Sequence, residues 1–317
     1  MKNAYKLLLT CFISFNLVSV WGKDTDLGLN ADLKGNQLFP ASNPWNQAID
    51  TKPVDPNSTN LINHLGTNTE LHPDFGANAY WDDGKPFGIP YLVVTGSEPK
   101  VPMRFDYDDE SDPGPYPFPA DAPIEGGAHS TGDRHVLVLD KDHWKLYEAW
   151  SSYPNTDGSW DAGSGAVFNL KSNKLRPAGW TSADAAGLPI LPGLVRYDEV
   201  YIQHAINHAI RFTVEDTRRA YIYPARHFAS DITSKNALPM GARLRLKANY
   251  DISGFAEPAQ VILRALKKYG MIVADNGGNL FISGTADERW DDDLLNTLKQ
   301  VKNTDFEVVK MGKLTTQ

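Results

Sequence analysis

The sequence has a single cysteine, Cys11, among its 317 residues. A disulfide framework needs at least two cysteines, so disulfide bonds within the chain are excluded. Because Cys11 lies in an apolar N-terminal run, residues 7–20, we expect it to be lost with that run, and thiol catalysis is then excluded as well. Carboxylates, histidines, tyrosines and arginines remain as the reagents for any chemistry.

Positive charge is also in short supply. The chain has 31 Lys and Arg against 39 Asp and Glu, which gives a net charge of −8. A protein that binds nucleic acid or an anionic membrane needs basic surface to displace phosphate counterions. We therefore expect neither of these partners.

No apolar stretch reaches the roughly 20 residues that a membrane-spanning helix needs. The longest, residues 7–20, follows Lys2 and Lys6 and precedes Gly22. A basic start, an apolar centre and a small residue at the end are the layout of a secretory signal peptide. We predict a signal peptide over residues 1–22, and hence a secreted or periplasmic protein with no membrane span.

The mature chain is rich in short apolar runs separated by Gly, Pro and Asp. Such runs predict strands, and residues 135–139 predict a strand that is buried on both faces. A hairpin is predicted over 271–283, and helices are predicted at 57–65, 197–210, 258–269 and 291–301. The expected fold is β-rich α+β, a β-sandwich or distorted barrel with about three helices. We divide it into an irregular wrapping segment, 23–89, and a single domain, 90–317.

The first candidate site is a glycine-rich segment, residues 125–135, that leads into the doubly buried strand. Glycines allow a close approach of the backbone to a ligand, and Asp133 is placed to orient His135 as a general base. We predict that Asp133 and His135 are catalytic and that Glu125 binds substrate. The alternative is a turn capped by Asp133 beside a structural histidine.

The second candidate site is the predicted helix 197–210. It would place His204 and His208 one turn apart on one face, as in zinc proteases, but Ala205 stands where such enzymes have a glutamate base. We predict acid/base catalysis by Glu199 and His208. A metal-dependent hydrolase built on the two histidines is a further alternative.

The third candidate site is the strand and loop around residues 221–227. Arg226 is suited to hold the carboxylate of an acidic sugar while His227 moves a proton, with Tyr223 contacting the substrate. The alternative is an arginine that pairs with a structural carboxylate beside an edge strand.

Two further patterns predict candidate sites less strongly. Asp106, Asp108 and Asp109 lie in an acidic loop that is either solvated or a calcium site, although it lacks regular calcium-loop spacing. No other cofactor is expected. Trp81 and Trp180 lie in Gly-rich loops and are predicted to stack on sugars, whereas Trp144 and Trp150 are predicted to belong to the core.

Several segments resemble a family of secreted bacterial proteins to which no reaction is assigned. They are residues 132–135 (GDRH), 177–189 (PAGWTSADAAGLP), 196–199 (RYDE), 208–212 (HAIRF), 224–227 (PARH) and 274–277 (ADNG). The resemblance implies export and a single coherent domain, and it implies no catalytic role for any residue.

These observations together predict a secreted enzyme that acts on an extracellular polysaccharide. A glycoside hydrolase would use Glu199 and Asp133 as its two carboxylates. A polysaccharide lyase would use Arg226 against a uronate and one of the histidines as base. We favour the hydrolase, because an acidic chain repels a polyanion. The alternative from another class is a non-catalytic carbohydrate-binding or cell-surface module.

Overall fold

The computed structural model describes residues 24–78 and 84–316. The predicted signal peptide and Trp81 lie outside the described residues. The described part contains three α-helices and one π-helical turn: α1 (Ser58–His64), α2 (Glu257–Lys268), α3 (Asp292–Asn296) and the turn Asp198–Ile202. Within it, no helix is both long enough and apolar enough to cross a bilayer.

Strands make up most of the regular structure. In chain order they are β1 (Gly28–Leu29), β2 (His72–Asp74), β3 (Tyr91–Val94), β4 (Met103–Phe105), β5 (Val136–Asp140), β6 (Lys145–Trp150), β7 (Tyr153–Pro154), β8 (Trp160–Ala162), β9 (Ser164–Asn169), β10 (Ile210–Val214), β11 (Thr217–Tyr221), β12 (Leu238–Met240), β13 (Arg243–Leu246), β14 (Met271–Asn276), β15 (Phe281–Ser283) and β16 (Phe306–Val308). The predicted β-rich α+β fold is confirmed.

Two large sheets organise the molecule. One has the strand order β1-β3-β5-β6-β9, and the other has the order β16-β13-β14-β10-β15-β2. A three-stranded sheet, β4-β8-β7, and a two-stranded sheet, β11-β12, complete the set. Side chains of both large sheets share the main hydrophobic core.

Strand β5 is buried on both faces, as predicted. Its alternate residues Leu137 and Leu139 belong to the main core. Val136 and Val138 point the other way, into a smaller core that includes Trp160 of β8. Successive strand residues point to opposite faces, so a strand that packs against two cores reads as one continuous apolar run.

The N-terminal part of the chain joins both large sheets. Strand β1 pairs with β3 at the edge of the first sheet, and β2 pairs with β15 at the edge of the second. Trp45 is fully buried in the main core. The Arg245 guanidinium on β13 donates to the carbonyls of Asp50 and Lys52, so this part of the chain covers one face of that strand.

The prediction of a hairpin over 271–283 was wrong. Strands β14 and β15 are both present, but β10 lies between them, parallel to β14 and antiparallel to β15. The loop after β14 therefore crosses the end of β10, where the carbonyl of Gly278 accepts a hydrogen bond from Thr213 Oγ1 at 2.8 Å. This crossing brings Asp275 to the same end of the sheet as the side chains of β10.

The predicted helix over 197–210 was also wrong in most of its length. The π-helical turn ends at Ile202, and His204 has a φ of 53°, which an α-helix does not allow. Ion pairs override the helical pattern here, because Glu199 contacts both Arg196 and His208 in a buried cluster. His204 is exposed while His208 is buried, so the two histidines do not form the predicted metal-binding pair.

Candidate active site

A cleft of ≈ 350 Å³ opens where strands of both large sheets end. Trp150 at the end of β6, Ser164 at the start of β9, and Asp275 and Asn276 at the end of β14 all line it. The other lining residues come from loops: Tyr107, Glu110, Asp133, Thr181, Ser182, Ala183, Ala185, His227 and Ala229. The cleft therefore collects polar and aromatic side chains at the ends of two rigid sheets.

A buried ion pair supports the floor of this cleft. Arg211, in the apolar strand β10, donates from Nε and Nη2 to the two carboxylate oxygens of Asp184, at 2.8 and 2.7 Å. Its Nη1 donates to Ser283 Oγ at 2.6 Å. Asp184 is fully buried. Two parallel hydrogen bonds between guanidinium and carboxylate fix both groups in position.

Asp275 is the partner that reaches the cleft. Its carboxyl is hydrogen-bonded to Asp184, its Oδ1 accepts the Asn276 N–H at 2.7 Å, and its Oδ2 lies 3.4 Å from Arg211 Nη2. Burial, followed by repulsion from Asp184, raises the pKa of Asp275 to about 8. The group consequently keeps its proton near neutral pH, as a general acid requires.

Asp133 lies in the same cleft in a different environment. Its side chain is exposed, and its Oδ1 accepts a hydrogen bond from Trp150 Nε1 at 3.1 Å. The second carboxylate oxygen has no protein partner within residues 24–78 and 84–316. The cleft therefore offers one protonated carboxyl and one solvated carboxylate.

His227 presents one ring nitrogen to the cleft. Its Nδ1 lies 2.8 Å from the Ala185 carbonyl oxygen, so Nδ1 carries a hydrogen, and its ring stacks on Phe228. No protein partner of Nε2 is found in the described part of the chain. In the neutral ring this nitrogen is a hydrogen-bond acceptor for a ligand hydroxyl.

His135 lies close by but does not serve as a base. It is buried; its Nδ1 lies 2.6 Å from Glu125 Oε2 and its Nε2 lies 3.0 Å from the Ala183 carbonyl. Burial lowers the pKa of His135, but the Glu125 carboxylate outweighs it and raises the pKa to about 9. Glu125, rather than the predicted Asp133, is thus the partner of His135, and their ion pair stiffens the segment that carries Asp133.

Glu125, Asp133 and His135 form the one group in the described residues whose metal-type donor atoms lie within 4.8 Å of one another. A histidine binds metal through a lone pair of a neutral ring. Both nitrogens of His135 face oxygen acceptors and act as donors, so no lone pair is left. A metal ion at this set would have to displace the hydrogen that Nδ1 of His135 shares with Glu125.

Glu199 and His208 line a different cavity, of ≈ 290 Å³, beneath residues 35–38. Glu199 Oε1 lies 2.7 Å from Arg196 Nη2, and Oε2 lies 3.1 Å from His208 Nε2. Burial disfavours the Glu199 carboxylate, but Arg196 and His208 outweigh burial and lower its pKa. The structure does not bring Glu199 and Asp133 together, so the predicted carboxylate pair is not formed.

The remaining predicted residues lie outside the cleft lining. Arg226 donates from Nε to the carbonyl of Arg176 at 2.8 Å, which assigns it to loop packing rather than to a uronate. Trp180 lies beneath the Arg176 guanidinium, which is 5.6 Å from its ring centroid. Tyr223 is exposed and isolated from the cleft.

The acidic loop contributes to the cleft through residues that the calcium hypothesis did not use. Asp106, Asp108 and Asp109 are exposed, and their carboxylates do not converge as a set of three donors in the described structure. Tyr107 and Glu110 from the same loop do line the cleft.

The sequence analysis missed Asp275, Asp184 and Arg211, and it assigned Trp150 to the core. One feature could have indicated them. Arg211 lies between Ile210 and Phe212 in a buried strand, and a buried charge is usually paired. Asp184 and Asp275 are the partners, and Asp275 directly follows the apolar run of β14.

Comparison of the chain with known protein families, with curated proteins and with solved structures gives no match.

Proposed function

We propose that this protein is a secreted glycoside hydrolase in which Asp275 is the general acid and Asp133 is the second carboxylate. The observation that carries the proposal is the contrast between these two groups in one cleft. Asp275 is held protonated by burial and by Asp184, whereas Asp133 is solvated. Glycoside hydrolysis uses two carboxyl groups in such unlike environments, one to protonate the leaving oxygen and one to act on the opposite side of the sugar.

The aromatic side chains of the cleft support a carbohydrate ligand. The rings of Tyr107 and Trp150 lie with centroids 6.4 Å apart at an interplanar angle of 38°, and Tyr107 is 52% exposed. Exposed rings beside a cleft are suited to pack against the apolar faces of sugar rings. Asn276, Thr181 and His227 Nε2 add polar groups for the hydroxyls.

The cleft supports a hydrolase better than a lyase. A lyase must neutralise the carboxylate of a uronate before its proton is removed. The lining residues found in the described structure include no lysine or arginine. The Arg211 guanidinium is paired with the Asp184 carboxylate, and Arg226 donates to a main-chain carbonyl.

Four of the six segments that carry the family resemblance contribute residues to this cleft. Segment 132–135 supplies Asp133, and 177–189 supplies both Asp184 and the wall from Thr181 to Ala185. Segment 224–227 supplies His227, and 274–277 supplies Asp275.

The test is a screen of the purified protein against neutral, acidic and amino polysaccharides, with reducing ends and unsaturated uronates followed in parallel. Asp275→Asn and Asp133→Asn should each lower the rate of reducing-end release by about 10²-fold or more, because proton transfer contributes that much. Asp121→Asn, at an exposed position far from the lining residues, is the matched control.

Two results would overturn the proposal. One is reducing-end release that survives both substitutions while the variants remain folded by circular dichroism. The other is tight binding of a polysaccharide with neither product, which would assign the protein to the carbohydrate-binding modules instead.

A further inference from the structure

We infer that the glycan bound in this cleft carries free ammonium groups, so that the substrate is a polymer of de-N-acetylated amino sugar such as glucosamine. This inference rests on the proposed hydrolase and specifies its substrate class. The observation behind it is a set of two carboxylates and two aromatic rings around a cleft whose lining, within the described residues, includes no lysine or arginine.

The first carboxylate, Glu110, is built into the cleft wall. Its Oε2 accepts the Thr181 N–H at 3.0 Å, while its main-chain carbonyl accepts Arg176 Nη2 at 2.8 Å. The side chain and the backbone of Glu110 are thus both anchored. Oε1 has no protein partner within the described residues, so one oxygen of a fixed carboxylate is free for a ligand.

The nearby arginine does not neutralise Glu110. Arg176 forms an ion pair with the carboxylate of Asp112 and donates from Nε to the Thr181 carbonyl at 2.7 Å. Its guanidinium reaches only the main chain of Glu110. The negative charge of this side chain therefore remains available to the cleft.

The rings complete the surroundings of a cation. Tyr107 lies three residues before Glu110, and its ring lies beside that of Trp150. The Trp150 Nε1–H donates a hydrogen bond to Asp133. Ammonium groups bind over the faces of aromatic rings as well as beside carboxylates. Two rings and the carboxylates of Glu110 and Asp133 line the same cleft and provide both kinds of contact.

Charge decides between sugar classes. A neutral sugar that covered Glu110 would replace its water with hydroxyl hydrogen bonds but would offer no counter-charge. A uronate would add repulsion. An ammonium group replaces the lost water with an ion pair, and the acidic chain also attracts a polycation at long range.

The test compares kcat/KM for glucosamine oligomers with kcat/KM for N-acetylglucosamine oligomers of equal length. We expect a preference for the free amine of about tenfold or more, which falls as salt is added because the contact is screened. Glu110→Gln should lower this ratio about tenfold, whereas Glu288→Gln, an exposed control away from the cleft, should leave the ratio unchanged.

The outcomes separate the inference from the proposed function. Hydrolysis of neutral oligomers with no preference for the amine, or a ratio unmoved by Glu110→Gln, overturns the inference and leaves the hydrolase standing. If no saccharide is cleaved, binding of both oligomers to the protein is measured by calorimetry. Amine-selective binding that Glu110→Gln abolishes supports the ammonium site without the hydrolase, and unselective binding or none overturns it. Equal affinity for spermidine would overturn the assignment to a sugar.

Discussion

Replacing Asp275 by Asn should make the protein more stable near neutral pH and less sensitive to pH. Asp275 touches Asp184 and Arg211 and exposes 24% of its side chain to the cleft. Asn has nearly the same shape, and its amide N–H can still donate to the Asp184 carboxylate. The substitution therefore removes the titration of this position and leaves its packing in place.

The sign and the magnitude follow from proton binding. An unfolded Asp275 ionises near pH 3.8, whereas the folded carboxyl keeps its proton until pH rises to about 8. Between these values the folded state binds more protons, so the free energy of unfolding falls by about 1.4 kcal/mol per pH unit for this group. From acid to neutral pH the loss is on the order of 4 kcal/mol, an upper limit because water reaches the side chain.

Three other titratable groups also lower the free energy of unfolding as pH rises. Burial raises the pKa of Asp74 to about 6 and that of Glu148 to about 7. His135, with its pKa raised to about 9 by Glu125, adds stability below pH 6.5 that is lost as pH rises through the folded value. We therefore expect the wild-type protein to be most stable in mild acid.

Urea unfolding at several pH values measures this directly, with the free energy extrapolated to water. Asp275→Asn should unfold at a higher urea concentration than the wild type near pH 8, and the two should converge near pH 4. Asp121→Asn is the control for loss of an exposed carboxylate. Parallel pH curves for the wild type and Asp275→Asn would refute the assignment of a retained proton to this group.

Two further predictions concern the framework of the cleft. Arg211→Met should cost about 3–5 kcal/mol in urea unfolding, because it leaves the Asp184 carboxylate buried without its partner; a loss below about 1 kcal/mol would contradict a buried pair. Gly241→Ala should lower the melting temperature more than Gly179→Ala, because both have a φ above 80° but only the Cβ at 241 meets the Ile222 carbonyl. Equal losses in the two variants would contradict that contact.

Local patterns predicted the local elements well. Helix α2 has Pro258 in its first turn, Lys267 and Lys268 in its last, and an apolar face every third or fourth residue. Strand β5 is a single apolar run that follows a Gly-rich loop. In both cases the sequence within the element decides its structure, so the element is visible without knowledge of its neighbours.

Pairings between distant segments were not predictable in this way. The pattern of residues 271–283 shows two strands and a turn, but whether they pair or admit a third strand between them depends on β10, which lies some 60 residues earlier. In the region 197–210, apolar spacing predicted a helix. The buried contacts of Glu199 with Arg196 and His208 determine the backbone there instead, and spacing does not reveal them.

The candidate site could be predicted only in part, because its residues come from segments that are distant in the sequence. Asp133 and His227 lie in loops beside strand ends, where polar residues indicate a candidate site. Asp275 looked like part of a turn, and only the insertion of β10 beside β14 places it over Arg211. Arg211 connects Asp184 and Asp275. It is also the least expected side chain in its strand.

The chemistry of the cleft follows from one cation placed beneath two carboxyl groups. The buried guanidinium of Arg211 can compensate one carboxylate, and its two-pronged contact with Asp184 fixes which one. A second negative charge at Asp275 would then be uncompensated in a partly buried position, so that group retains its proton. Asp133 lines the same cleft, and its side chain is exposed to water. The fold thus produces an acid and a carboxylate from two identical side chains. The difference originates in Arg211, which lies on a strand that apolar residues alone would also have formed.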